Sequence, residues 1–335
     1  PDPGSEIITT PITDMGALTP IMYQGCIPVF ADIDPYSYNV TAETIQKRIS
    51  PKTRAIIVTH LFGNPCEMAP IMKLAAERKI PVIEDCAQSF LAKIDGRNTG
   101  VIGDIGAFSF QQGKHMTTGE GGIVLTNDEA YARRIRLFVN KAWGYGDPKP
   151  DHYFVALNYR LTELQGAVAI AQLGKLEKNV QNRQKAASLM DELLSGIPGV
   201  RAPQPPKGAT HVYWKYCLDV DPEAAGCDVV QMATALKAFG IFSAPRYIQK
   251  PSFRCEVLRE GRMFGADNAP LDQASMSLWQ DEEACRREYP GSYQALSRML
   301  VLPWNEFYTE AHVRYIAEKI KEVLKDAQKP CGAGR

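Results

Sequence analysis

The stretch that decides the fold is residues 54–85, RAIIVTHLFGNPCEMAPIMKLAAERKIPVIED. Arg54–His60 is a β-branched run and predicts a strand. Glu67–Arg78 sets Met68, Ile71, Met72 and Ala75 on one helical face, and Pro81–Asp85 predicts a short buried strand. Strand, helix and strand over about thirty residues is the spacing of a parallel crossover unit, because parallel neighbours need a long connection back across the sheet. The alternation continues outward. Upstream, Glu6–Thr10 and Ile27–Ile33 predict strands, while Gly16–Gln24 and Thr41–Ile49, the latter opening on a Thr cap, predict helices. Downstream, Ile105–Phe110 and Gly122–Thr126 predict two more strands joined by a Gly-rich loop. Leu161–Val180 predicts a long helix with Leu161, Leu164, Val168, Ala171 and Leu176 on one core-facing stripe. The fold class expected is α/β, a mostly parallel sheet flanked by helices on both faces.

The chain has 335 residues, which at roughly 150 per domain suggests about two domains. Pro198, Pro203, Pro205 and Pro206 make the densest proline cluster and mark a boundary. The expected division is a large domain over residues 1–195 and a smaller α+β domain over 196–335. In the smaller domain Val212–Val220 predicts a strand, Val229–Phe239 a helix and Glu310 to Lys325 a terminal helix, with Lys329–Arg335 as a frayed tail. Lys and Arg number 38 and Asp and Glu 38, so no general charge favours nucleic acid or an acidic membrane. No apolar run approaches the roughly 18–20 residues of a membrane helix. The eight cysteines are scattered without a C-x-x-C pair, which fits reduced thiols in a cytoplasmic protein with no metal site. The chain opens Pro1-Asp-Pro-Gly4, with no Met and no signal-like segment.

A parallel sheet raises the question of nucleotide binding, and the fingerprints are absent. Gly100, Gly103 and Gly106 have the wrong spacing for a dinucleotide turn. Gly106 to Gly113-Lys114 has six intervening residues instead of four, and His115 stands where a P-loop needs Ser or Thr. There is no G-x-S-x-G elbow, and the five histidines form no ligand pair.

Ligands of open α/β sheets sit beyond the carboxyl ends of the strands. There Pro81-Val-Ile-Glu-Asp85 ends in two carboxylates and runs into Cys86-Ala-Gln-Ser89. Gly106-Ala-Phe-Ser-Phe110 runs into Gln111-Gln-Gly-Lys114 and then Thr117-Thr-Gly-Glu-Gly-Gly122. An acid, a hydroxyl and a lysine around one crevice is the set that pyridoxal 5'-phosphate (PLP) requires. Lysine forms a Schiff base, a carboxylate keeps the pyridine nitrogen protonated, and hydroxyls and backbone N–H groups hold a phosphate of about −1.5 to −2 charges. Each group also has an ordinary reading: a strand-end Asp as turn former, a loop Lys as solvated surface, Ser109 as a small residue in a tight strand. Their order and spacing make the set specific.

In these segments the sequence resembles the DegT/StrS family of fold-type-I PLP enzymes, the sugar aminotransferases. The resemblance runs over nearly the whole chain. It is carried by Gly4–Pro11, Pro28-Val-Phe-Ala-Asp-Ile-Asp34, His60-Leu-Phe-Gly-Asn-Pro65, Glu84-Asp-Cys-Ala-Gln88, Phe108-Ser-Phe-Gln-Gln-Gly-Lys114, Thr118-Gly-Glu-Gly-Gly122, Asn158-Tyr-Arg160 and Leu302-Pro-Trp-Asn-Glu306. It implies that Lys114 binds the cofactor covalently and then shuttles a proton between the substrate α-carbon and C4′. Asp85 would pair with the pyridinium nitrogen, Gln88 would hydrogen-bond the ring hydroxyl, Ala87 would pack on a ring face and Ser109 would bind the phosphate. Asn158 would reach the phosphate from the neighbouring subunit, giving a homodimer with shared active sites. Arg160 is a candidate for the amino donor's carboxylate, with a structural ion pair as the alternative. Tyr159, with Trp143 and Tyr153, offers rings to stack on sugar or nucleotide, or simply to pack together.

The implied reaction is ping-pong transfer from glutamate or glutamine to a nucleotide-linked keto-sugar or a keto-cyclitol. Relatives that carry His in place of the lysine are sugar dehydratases, so Lys114 favours transamination over dehydration or epimerisation, and the intact set argues against a non-catalytic regulatory relative. Two departures stand out. Asp14 occupies a position where many members carry an aromatic residue that stacks on the cofactor. The family's Ser-Gly-Thr phosphate grip lies upstream of the part to which Pro1 corresponds, so the chain as given is expected to bind PLP weakly or not at all unless that segment is supplied. Tyr247-Ile-Gln-Lys-Pro251 resembles the version found in aminotransferases of keto-inositols and of some nucleotide sugars.

Overall fold

A computed structural model describes residues 1–264 and 269–328. Its first sheet is built by the crossover units read above. Strands β1 (Glu6–Thr9), β2 (Ile27–Phe30), β3 (Thr53–Thr59) and β4 (Val82–Asp85) precede a small hairpin of β5 (Lys93–Ile94) and β6 (Arg97–Asn98). Strands β7 (Ile105–Ser109) and β8 (Gly122–Leu125) follow. The sheet order is β2-β1-β3-β4-β7-β8, and only β8 runs antiparallel to its neighbour. The connecting helices are α1 (Met15–Tyr23), α2 (Ala42–Gln46) and α3 (Met68–Arg78). Helix α2 is shorter than the Thr41–Ile49 expected, although Thr41 caps it in a capping box with Thr44. On α3, Met68, Ile71, Leu74 and Ala75 are buried and share a core with Ile56, Val58 and Val82. Each such fully buried aliphatic side chain contributes roughly 1.5–3 kcal/mol relative to exposure.

After α4 (Glu129–Phe138), helix α5 (Glu163–Leu194) runs for 32 residues. The stripe expected in the core divides. Leu176 is buried, as is Val180, whereas Leu161, Leu164 and Val168 are exposed, Leu164 at 81%. The reason is length: at 1.5 Å per residue the helix is about 48 Å long, more than the layers of one chain can cover. Its carboxyl half packs on the second sheet, whereas in its amino half Ala169 meets the Phe90 and Phe110 core and Leu164 and Val168 stay exposed among the described residues. The β8 edge is exposed along all four residues.

The second sheet has the order β12-β13-β11-β9, from β9 (Val200–Arg201), β11 (Lys215–Val220), β12 (Ala244–Pro245) and β13 (Met299–Pro303), all antiparallel. Between them β10 (Ala209–Thr210) pairs with β5. Helices α6 (Pro222–Ala225), α7 (Val229–Ala238) and, at the far end, α12 (Glu310–Ala327) belong to this half. Residues of α7 and α12 share a core with Ala186, Met190 and Leu194 of α5. Helices α8 (Glu256–Arg259), α9 (Gln273–Gln280), α10 (Glu282–Glu288) and α11 (Pro290–Arg298) return to the first sheet. Phe253, Leu258, Trp279 and Tyr289 share a core with Leu18, Ile21 and Phe30. Asp32 ties the return, accepting from the N–H groups of Gly291 and Ser292 at the start of α11. The tail expected over Lys329–Arg335 lies outside the described residues.

Candidate functional site

The carboxyl ends of β3, β4 and β7 lie side by side. Ladder pairing sets Thr59 opposite Asp85 and Asp85 opposite Ala107. Because side chains alternate along a strand, Ser109 shares a face with Ala107 and hence with Asp85. Small Ala107 leaves the Asp85 carboxylate room. Its Oδ2 accepts from the Thr59 hydroxyl at 3.2 Å, and its Oδ1 accepts from the Ala87 N–H at 3.0 Å. Burial pushes the Asp85 carboxyl above its ordinary 3.8, against the opposite pull of Ala87, Thr59 and the Lys114 charge.

The preceding Glu84 points to the other face and fixes this strand end from below. It is fully buried, and its Oε1 accepts from the N–H groups of Ile102 and Gly103 at 2.8 and 2.6 Å. Its Oε2 accepts from Gly100 N–H at 2.8 Å and lies 3.0 Å from His60 Nε2. Since His60 Nδ1 accepts from Cys66 N–H at 3.0 Å, the ring proton sits on Nε2 and donates to Glu84. His60, Glu84 and Cys86 bring ligand-type atoms within 4.8 Å of one another. Both ring nitrogens and both carboxylate oxygens are already engaged, so this trio braces the strand under Asp85.

Lys114 follows β7 on a loop that is clamped from two sides. Its own N–H donates to Gln111 O, and the neighbouring Gly113 O accepts from Trp214 Nε1 at 2.7 Å. On the other side, His115 Nε2 bonds Val212 O at 3.0 Å. Burial first, then the Arg183 charge, lowers His115 to about 3, so the ring is neutral and Nε2 is the donor. Residues 212–214 in turn donate from Val212 N to Gly63 O and from Trp214 N to Phe62 O. This strap therefore ties the Lys114 loop to the 60–64 loop. Lys114 Nζ lies 4.5 Å from the centre of the Trp214 ring. Burial lowers its pKa below the ordinary 10.5, against the attraction of Asp85 and Asp14.

Gln88 is aimed by its neighbours. Its Oε1 accepts from Phe62 N–H at 2.6 Å, and its Nε2 donates to the Tyr247 hydroxyl at 3.4 Å. Phe62 is held at φ 58, outside the range that most side chains favour, and its ring meets Tyr247 edge to face. Asp14 caps α1 through Gly16 N–H, and its charge bears on both Lys114 and Tyr247. Asp85, Ala87, Gln88 and Lys114 are thus brought together, with Ser109 on the same face. The Ser109 oxygen accepts from Gln111 N–H at 3.2 Å, which leaves its proton free to donate.

Asn158, Tyr159 and Arg160 stand apart from that group. The Asn158 amide oxygen accepts from Arg160 N–H and Nε at 3.2 and 3.1 Å, and Arg160 Nη1 donates to Asn140. Tyr159 stacks on Phe138. All three are exposed. Thr59, Phe62 and Trp214 were missed in the sequence. Only Thr59 carried a signal, as a hydroxyl at the end of the strand beside the Asp85 strand.

The chain is similar to several known proteins. GDP-perosamine synthase of Caulobacter vibrioides is 34% identical over 72% of this chain and 65% of its own length. L-glutamine:2-deoxy-scyllo-inosose aminotransferase of Streptomyces kanamyceticus is 33% identical over 73% of this chain and 60% of its own length. The chain therefore spans somewhat less than two thirds of these relatives. The solved aminotransferase of Psychrobacter cryohalolentis superposes with a TM-score of 0.82 at 27% identity, covering 98% of this chain and 83% of that one. The family model named DegT/DnrJ/EryC1/StrS aminotransferase family matches residues 2–263, and the chain belongs to that family.

Proposed function

We propose that this chain is a PLP-dependent aminotransferase that moves an amino group from glutamate or glutamine to a keto-sugar or keto-cyclitol. The observation that carries the reading is the Asp85 carboxylate, held by Thr59 and Ala87 at the end of β4, together with Lys114 on the clamped loop after β7, near enough for the two charges to interact. The residues fit PLP. Asp85 offers a half-buried carboxylate for a protonated ring nitrogen, Ser109 a free hydroxyl proton for phosphate, and Lys114 an amine for a carbonyl carbon. When bound, PLP supplies the electron sink that makes the substrate α-proton labile. The protein's part is positioning. Asp85 would orient the ring and keep its nitrogen charged. Gln88 would meet the ring hydroxyl, and Ala87 would support one ring face. Lys114, with its lowered pKa, has a larger unprotonated share at neutral pH and would move the proton between α-carbon and C4′.

A two-part division at about residue 195 is supported by the end of α5 at Leu194, with Phe253, Leu258, Trp279 and Tyr289 of the second part packed back on the first sheet. A homodimer with shared sites is supported by the exposed apolar side chains Ile123 and Val124 on the β8 edge strand, Leu157, and Leu164, Ile170 and Leu173 on the amino half of α5. In such a dimer Asn158 would reach the partner's phosphate site, and Arg160 and Tyr159 would meet substrate. Among the described residues no helix is long and apolar enough to cross a membrane. The seven cysteines among those residues, of eight in the chain, are unpaired, which supports a reducing, cytoplasmic setting. The names of the relatives support both acceptor classes.

The test is a half-reaction. PLP-loaded protein mixed with glutamate or glutamine should lose the cofactor's carbonyl-derived absorbance, form pyridoxamine phosphate, and regain the absorbance on addition of a keto-sugar or keto-inositol. A panel that restores nothing, or sugar deoxygenation without amine transfer, overturns the proposal.

A further inference from the structure

We propose that Lys215 receives an oxyanion of the incoming substrate, and so helps to set which substrates the site accepts; this rests on the aminotransferase reading. Lys215 opens β11, one residue after Trp214. Its Nζ lies 4.9 Å from the centre of the Trp214 ring, and Lys114 Nζ lies 4.5 Å from that same centre. One indole is therefore the common neighbour of the Lys114 amine and a second ammonium. The ring is not free to swing, since its Nε1–H is bonded to Gly113 O and its backbone N–H to Phe62 O. Lys215 is thus anchored next to both loops that frame the site.

Among the described residues Lys215 has neither a carboxylate partner nor a side-chain hydrogen bond. The carboxylate three residues past its ladder partner Pro303 is Glu306, which Arg183 engages through Nε and Nη2 at 3.1 and 2.8 Å. The remaining Arg183 nitrogen bonds the carbonyls of Tyr213, Trp214 and Trp304. Lys215 is half-buried, and burial together with repulsion from Arg183 and Lys114 disfavours its charge. An anion brought by the substrate would supply the counter-charge that the protein does not give Lys215 and would favour its charged form. The carboxylates Asp85 and Asp14 bear on Lys114, whereas the charges that bear on Lys215 are those of Arg183 and Lys114. The ligand chemistry is an oxyanion, with two sources in the reaction: a carboxylate of the amino donor, or the diphosphate of a nucleotide-linked acceptor.

The experiment compares unmodified protein with Lys215→Met and Lys215→Arg, all loaded with PLP. Calorimetric titration uses glutarate as the probe for the donor and GDP as the probe for the acceptor. Lys215→Met should weaken one probe by about tenfold or more, and Lys215→Arg should restore it to within about threefold. Loss confined to glutarate assigns the donor carboxylate, and loss confined to GDP assigns the acceptor. The KM of the matching substrate should rise while kcat changes little. Equal affinity of Lys215→Met and unmodified protein for both probes overturns the proposal, as does failure of the unmodified protein to bind either. Borohydride labelling of Lys114 in Lys215→Met reports the parent reading separately: labelled protein with unchanged affinities refutes only the role of Lys215.

Discussion

Replacing Glu84 by glutamine tests the brace under the site. The Glu84 carboxylate accepts four hydrogen bonds, from Ile102, Gly103 and Gly100 N–H and from His60 Nε2. A glutamine has one acceptor oxygen and an NH2 group, so either orientation sets N–H against two buried donors. His60 cannot rescue the clash by changing tautomer, because its Nδ1 is already the acceptor for Cys66 N–H. Two unsatisfied buried donors cost about 1–3 kcal/mol each, so Glu84→Gln should lose about 2–6 kcal/mol. Equilibrium urea unfolding at pH 7 measures this. A pH arm checks the cause. Burial alone would raise the Glu84 carboxyl, but His60, Gly100 and Gly103 bring it below the ordinary 4.5. A depressed carboxylate stabilises fully above 4.5 and loses that stability as pH falls through the lower folded value. The gap between the two proteins should therefore narrow below pH 4.5. A loss under about 0.5 kcal/mol at pH 7, within the range of surface substitutions, refutes the reasoning.

Lys114→Met should raise the thermal midpoint at pH 7 in cofactor-free protein. A lysine with a depressed folded pKa costs stability below that value and regains it as pH rises toward 10.5, so calorimetry should show the gain shrinking with pH. Arg183→Met removes a buried cation that holds Glu306 and three carbonyls, and chemical unfolding should register a loss of about 3–5 kcal/mol. Gly106→Ala would set a Cβ 2.1 Å from Gly100 O, a contact between two backbones that cannot yield cheaply. Its cost should reach about 3 kcal/mol or more, read as insoluble expression or an early urea midpoint.

Much of the candidate site was legible because its groups sit at strand ends, where period and sequence order already fix position. Asp85, Gln88 and Lys114 fall where the crossover pattern puts them. The strap was not legible. Trp214 reaches Gly113 across a hundred residues, and no local pattern announces such a contact. Helix α5 shows the other limit: the spacing of Leu164 and Val168 identifies an apolar stripe but not what covers it, and within one chain they lie exposed. The helices between 252 and 298 were also missed, being short and broken by Pro270 and Pro290 below the length at which periodicity speaks.

The central claim is that Lys114 would bind PLP covalently and that Asp85 would keep the ring nitrogen charged. Borohydride reduction of PLP-loaded protein, followed by proteolysis and mass mapping, tests it most directly. The account predicts a pyridoxyl group on the peptide carrying Lys114, its loss in Lys114→Met, its retention in Asp85→Asn, and transamination reduced about a hundredfold or more in both proteins. A label on another lysine, or full labelling and turnover without Lys114, contradicts it.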